Sequence, residues 1–278
     1  MPFTLDSITD LDAVRQRRAR AAAQAAAAFS CRRGLAYGPL PAQTLDLYPA
    51  TTLSGPAPVL LFIHGGFWRS MRAAEFAFLA PGFVPHGVAL ALLDYPMIPA
   101  VRMKDIVDAC RLALRYLHRQ GASLGLDPGR IFVAGNSAGG HLVAELMDAA
   151  WMEQAQLPGD VLRGGVAISG LYDLAPVAAS FQNDTLQLTV QEIADFSPLM
   201  RPLVIRAPLI VAVGADETGE FLRQSAAFAA HTRAAGTPTL HSEVPGANHV
   251  TVVLDAFADP EHALNRATRD LIAAGSLP

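Results

Sequence analysis

Five short stretches of this chain are apolar at nearly every position: PVLLFIH (58–64), GVALALLDY (87–95), RIFVAG (130–135), GGVAISG (164–170) and PLIVAVG (208–214). A strand with one wet face alternates apolar and polar side chains, so a continuous apolar run predicts a strand covered on both faces. Between these runs lie stretches that predict helices, over 73–79, 103–120, 138–151 and 219–235. Within the second, Ile106, Val107, Cys110, Leu114 and Leu117 recur at three- and four-residue spacing, which gives one buried stripe. Strands alternating with helices predict an α/β fold, a mostly parallel sheet flanked by helices on both sides. TLDLYP (44–49) alternates instead and predicts an edge strand, and TLHSEV (239–244) predicts the last strand. A further helix is expected over 11–29. The expected organisation is therefore an N-terminal helical segment (1–35) and one α/β domain (36–278).

Composition narrows the classes of function. The 278 residues are 51% hydrophobic and 17% charged, enough apolar material for a large core without disulfides or a structural metal. A net charge of −4 gives no general electrostatic reason to bind nucleic acid or an anionic membrane. The cluster Arg15, Arg17, Arg18, Arg20, followed by the run Ala21 to Ala28, predicts an alanine-rich helix with a solvated arginine face. No stretch reaches the ~20 apolar residues of a membrane span. Asp6, Asp10 and Asp12 ahead of the arginines, and Gln24 among the alanines, break any signal-peptide core. A soluble, cytoplasmic protein is expected. Cys31 and Cys110 share no CxxC spacing, and no HExxH or grouped ligand pattern occurs, so free thiols and no metal or cofactor are expected.

Ligands of a parallel α/β sheet sit at the carboxyl ends of its strands, so the residues that finish each run are the candidates for chemistry. Gly135-Asn136-Ser137-Ala138-Gly139 fits G-x-S-x-G between a predicted strand and a predicted helix, the context in which that motif presents a nucleophile. Small neighbours allow the sharp turn, and the helix that follows points its N–H groups at the serine. A serine hydroxyl needs a base to become nucleophilic, and the base needs an acid to orient it; in this motif the order is Ser, acid, His. His249 follows the last predicted strand across a Pro-Gly turn and is the candidate base. Asp216 and Glu217 both follow 208–214, and sequence mechanics leave the choice between them open. At the end of 58–64 stands His64-Gly65-Gly66-Phe67-Trp68, where backbone N–H groups of Gly65, Gly66 and Phe67, joined by that of Ala138, predict an oxyanion hole. Phe67 and Trp68 are candidates for an aromatic substrate wall.

These residues resemble the α/β-hydrolase superfamily, and within it the kynurenine formamidase (arylformamidase) type of esterase. HGGFW is similar to that family's HGG-aromatic-W signature, and the likeness continues through DYPMIPAVRMKDIV, GNSAGGHL, SGLYDL, NDTLQLTVQEIADFSPL and VGADETGEFLRQS to His249, about residues 40 to 260. In formamidases the triad acid stands three residues before a Glu-Phe pair, here Glu220-Phe221, so the resemblance implies Glu217, with Asp216 the alternative. It further implies a small-molecule acyl substrate, of which N-formylkynurenine is the model. Two other functions stay open: a broader short-chain carboxylesterase, and a catalytically silent hydrolase fold that binds a ligand. The N-terminal helix could cap the site, pack on the sheet or mediate a homodimer.

Overall fold

The computed structural model describes residues 3, 4, 8–51 and 55–277. Among the described residues, eight strands form one sheet: β1 (Arg32–Ala36), β2 (Thr44–Tyr48), β3 (Ala57–Ile63), β4 (Ala89–Leu93), β5 (Leu126–Asn136), β6 (Leu162–Ile168), β7 (Leu209–Gly214) and β8 (Thr239–Val244). Their order is β1-β2-β4-β3-β5-β6-β7-β8, parallel throughout except that β2 runs antiparallel to both β1 and β4.

The continuous apolar runs have the cause the sequence suggests. Every residue of β3, β4 and β7 is buried, and successive residues feed opposite sides of the sheet. Val59, Leu61 and Ile63 join one core cluster, while Leu60 and Phe62 join the other. The first cluster is closed by α2 (Met103–Gln120), α3 (Ala138–Met147) and α4 (Gly219–Ala234), the second by α1 (Leu11–Ala28), the segment 73–83 and α5 (Ala263–Ala274). In α2 all five predicted stripe residues are buried. Each such side chain stabilises the fold by about 1.5–3 kcal/mol relative to exposure.

Three expectations need correction. β2 is not an edge strand, because β1 hydrogen-bonds to its outer side; RRGLA carries no apolar alternation and is largely exposed, so it left no pattern to detect. The helix expected over 138–151 breaks at Asp148, whose extended backbone ends α3 and whose carboxylate caps the separate segment Ala149–Gln154 through the Ala150 N–H at 3.2 Å. Arg201 fixes that corner, bonding Asp148 at 2.8 Å and buried Glu145 at 2.8 Å. Residues Ala73–Leu79 are wound as a 3₁₀ helix.

The N-terminal segment shares the core of the sheet. Phe3 is buried and meets Phe67 and Phe221 edge-on, with centroids at 6.4 and 5.7 Å. Ala22 and Ala25 of α1 are buried against 73–83, and Arg18 and Arg17 bond Glu75 (2.9 Å) and Asp255 (2.6 Å). Among the described residues, no helix is long and apolar enough to cross a membrane. Both cysteines are free thiols, Cys110 buried within the α2 face and Cys31 partly exposed.

Candidate active site

β5 and α3 meet at Ser137, with one residue to make the corner. Its φ of 56° and ψ of −120° are unusual for a residue with a Cβ and cost about 1–3 kcal/mol, so the surroundings must impose them. The Ser137 N–H donates to Ile168 O at 2.8 Å, tying the corner to β6. The neighbouring glycines are required by contact: a Cβ on Gly139 would lie 1.9 Å from Ile63 O, and one on Gly135 2.5 Å from Gly139 O. Without those side chains, α3 starts directly against β3 and β5 and aims its first turn at the serine.

His249 Nδ1 lies 2.6 Å from Glu217 Oε2. The other carboxylate oxygen, Oε1, accepts from Ser169 Oγ at 2.5 Å and from Gly214 N–H at 2.8 Å. The Glu217 side chain is fully buried, so its orientation is fixed from both oxygens. With Nδ1 engaged, Nε2 is the nitrogen of His249 left for chemistry, and His249 lines the same cavity as Ser137. The Phe221 ring lies 4.2 Å from the imidazole and limits its rotation. Asp216 takes no part in this network: it is exposed, and its backbone N–H bonds Ala247 O at 3.0 Å. Geometry thus separates two residues that the sequence left level.

Opposite the elbow, three consecutive residues have positive φ: Gly66 (97°), Phe67 (49°) and Trp68 (55°). The resulting turn is closed on Gly66 O, which accepts from Arg69 N–H (3.1 Å), Ser70 N–H (3.1 Å) and Ser70 Oγ (2.9 Å). Tyr95 OH donates to His64 O at 2.9 Å, and its ring stacks on His64 at 4.4 Å, which anchors the turn from beneath. Asp94 holds the next turn through Ala73 N–H at 2.8 Å. Burial works to raise its carboxyl, but the His64 ring, with Nε2 at 3.7 Å, and the hydrogen bond from Ala73 N–H hold it below the usual range. Gly66 and Phe67 line the cavity, and among the described residues no acceptor meets their N–H groups or that of Ala138.

Two expected site residues fall elsewhere. Trp68 is fully buried and meets His141 edge-on at 5.1 Å; it is a core residue and not a substrate wall. Gly65 is buried outside the cavity lining, where a Cβ would lie 2.9 Å from Asn136 O and 3.0 Å from Ser137 Cβ. Its smallness lets the turn approach the elbow, which is a different task from donating to an oxyanion. Conversely, Ser169, with φ 50° at the end of β6, and Tyr95 escaped residue-by-residue reasoning, although both lie in segments that carry the family resemblance.

The cavity has a volume of about 460 Å³. Phe67, Phe76, Phe78 and Phe181 give it aromatic walls, and Phe3, Leu11 and Arg15 bring the N-terminal segment to its rim. Of the alternatives open for that segment, the packing realises two: Ala22 and Ala25 share a core cluster with the sheet, and Phe3, Leu11 and Arg15 border the cavity.

A serine on a strained strand-to-helix corner of a mostly parallel sheet, facing a carboxylate-held histidine, is the arrangement of an α/β-hydrolase, and the chain is a serine hydrolase of that class. It belongs to the BD-FAE family, whose model matches residues 45–196, more than half of its length. It is 27% identical to kynurenine formamidase of Salmo salar over 83% of this chain and 78% of that protein. It is 30% identical to esterase LipC of Mycobacterium tuberculosis over 81% of this chain and 60% of that one. A crystal structure from Silicibacter sp. tm1040, provisionally described as a thioesterase, superimposes with a TM-score of 0.80 at 28% identity, covering 93% of this chain and 94% of the other.

Proposed function

We propose that this hydrolase is an arylformamidase, cleaving the formyl group from N-formylkynurenine-like aryl amides. The observation that carries the mechanism is the 2.6 Å contact of Glu217 with His249, in a cavity that also holds Ser137. Ser137 Oγ attacks the formyl carbon while His249 Nε2 takes its proton. Glu217 holds the imidazole in the tautomer that presents Nε2 and stabilises the imidazolium. The negative oxygen of the tetrahedral intermediate is met by the N–H groups of Gly66, Phe67 and Ala138, each such donor stabilising the transition state by about 3–4 kcal/mol. His249 then gives its proton to the departing aryl amine, leaving a formyl-serine. Water, deprotonated by the same histidine, attacks that ester and releases formate.

The aromatic lining and the similarity to kynurenine formamidase support the aryl leaving group. The similarity to esterase LipC supports a second reading, a short-chain carboxylesterase with the same machinery. Comparing kcat/KM for N-formylkynurenine and p-nitrophenyl acetate separates them; rapid ester turnover beside negligible formamide turnover would overturn the formamidase reading. Labelling of Ser137 by a fluorophosphonate is expected in either case, and its failure would return the chain to a catalytically silent, ligand-binding hydrolase fold.

A further inference from the structure

Three guanidinium groups, those of Arg15, Arg18 and Arg69, line the cavity, and no carboxylate is among its described lining residues. Two of the three are neutralised from outside. Arg15 meets Asp12 at 3.3 Å, and Arg18 meets Glu75 at 2.9 Å with the Phe76 ring centroid 5.8 Å from its Cζ. Arg69 is different. Its two terminal nitrogens donate to Thr185 Oγ1 at 3.0 Å and Gln182 Oε1 at 2.7 Å, both neutral, and among the described residues no carboxylate pairs with it. Gln182 is itself buried, and its Nε2 donates to Phe3 O at 3.4 Å, which keeps Oε1 turned toward the guanidinium.

A half-buried cation held by neutral groups has charge left to satisfy, and the remaining N–H groups of its planar fork suit a carboxylate. Because Thr185 and Gln182 already hold the guanidinium, little rotamer freedom is left to lose on binding. Its backbone belongs to the oxyanion turn, through Arg69 N–H to Gly66 O, so a ligand held there is referenced to the reacting carbonyl. One uncompensated charge against aromatic walls matches a monoanion; a phosphate dianion would leave excess charge against the apolar lining.

We propose that Arg69 is a specificity-determining residue that binds a carboxylate on the leaving group of the substrates cleaved at Ser137. The proposal rests on the hydrolase reading of Ser137 and assigns the residue that reads the leaving group at that site.

The test uses phenyl acetate and 3-acetoxybenzoate, which share an acyl group and differ by one carboxylate. The wild-type chain is expected to favour the anionic ester in kcat/KM by about tenfold or more, a preference that shrinks as salt is raised. Arg69→Gln should lower the preference by about 10- to 100-fold, mainly through KM of the anionic ester, and Arg69→Lys should restore part of it because a point charge replaces the fork. Independently of any variant, benzoate should inhibit the wild type competitively at concentrations about tenfold below those needed for benzamide. Equal wild-type kcat/KM for the two esters, equal inhibition by benzoate and benzamide, or an equal loss on both esters in a folded Arg69→Gln chain would overturn the assignment while leaving the hydrolase intact. Turnover of neither ester, with no fluorophosphonate labelling, would instead remove the hydrolase reading itself.

Discussion

On the sheet side of the cavity, Ser137, Gly66 and Phe67 are held by the backbone: positive φ angles, glycines pressed against carbonyls, the Ser137 N–H bonded to β6 and the Gly66 carbonyl bonded by Arg69 and Ser70 N–H. On α1 the ties are single ion pairs made by long side chains: at the cavity rim Arg15 meets Asp12 of the same helix and Arg18 meets Glu75, and outside the cavity Arg17 meets Asp255. Backbone fixation has few alternatives and tolerates little change, whereas a tethered side chain can be exchanged without disturbing the sheet. The proposed chemistry thereby rests on the part of the fold that cannot vary cheaply, and the cavity's rim on the part that can. Unequal costs of substitution on the two sides are the consequence.

The largest effect should come from the acid on the sheet side. Glu217→Gln is expected to lower kcat about 10³- to 10⁴-fold with the protein still folded, while Asp216→Asn changes kcat less than about threefold. Collapse in Asp216→Asn with full activity in Glu217→Gln would reverse the assignment. Gly139→Ala should cost about 3 kcal/mol or more, since its new Cβ meets the rigid Ile63 carbonyl; a chain with unchanged Tm would show that the elbow is looser than its contacts imply.

His141, one turn after Ser137, sharpens the comparison by pH. Burial lowers its pKa to about 4, with the Phe196 carbonyl, 2.8 Å from Nε2, opposing and Arg201 assisting; Nδ1 has no partner among the described residues. Because the folded value lies below the unfolded one near 6.5, the unfolded chain binds more protons in between. Stability should therefore fall as pH drops from about 6.5 to 4, by about 3 kcal/mol, and the slope of Tm in that window should flatten in His141→Gln. The smallest effect belongs to α1. Arg17→Ala breaks an ion pair whose partners are both about half exposed and should cost under about 1 kcal/mol, measured by denaturant unfolding. A loss as large as that of Gly139→Ala would mean that the N-terminal segment is as integral as the elbow.

Much of this was legible in the chain itself. Strands covered on both sides need apolar residues at every position, so β3, β4 and β7 announced themselves, as did α2 through its stripe. The elbow was readable because its chemistry, its glycines and its flanking elements occupy one contiguous stretch. β1 was invisible because a largely exposed edge strand carries no apolar period. The break at Asp148 was hidden because it depends on Arg201, distant in sequence, and Trp68 was misassigned because an aromatic beside a catalytic turn looks the same in sequence whether it faces the cavity or the core.

The amino-acid sequence by itself determined the buried parallel strands, the class of chemistry and the candidates for nucleophile and base, since each rests on local periodicity or on a short local motif. Only the tertiary structure decided that Glu217 rather than Asp216 meets His249, that Ser169 and Gly214 orient that carboxylate, and that Arg69 enters the cavity without a charged partner among the described residues. Adjacent residues at a strand end point in different directions, and which of them faces the site depends on bonds to β6 and β7 that no local pattern records.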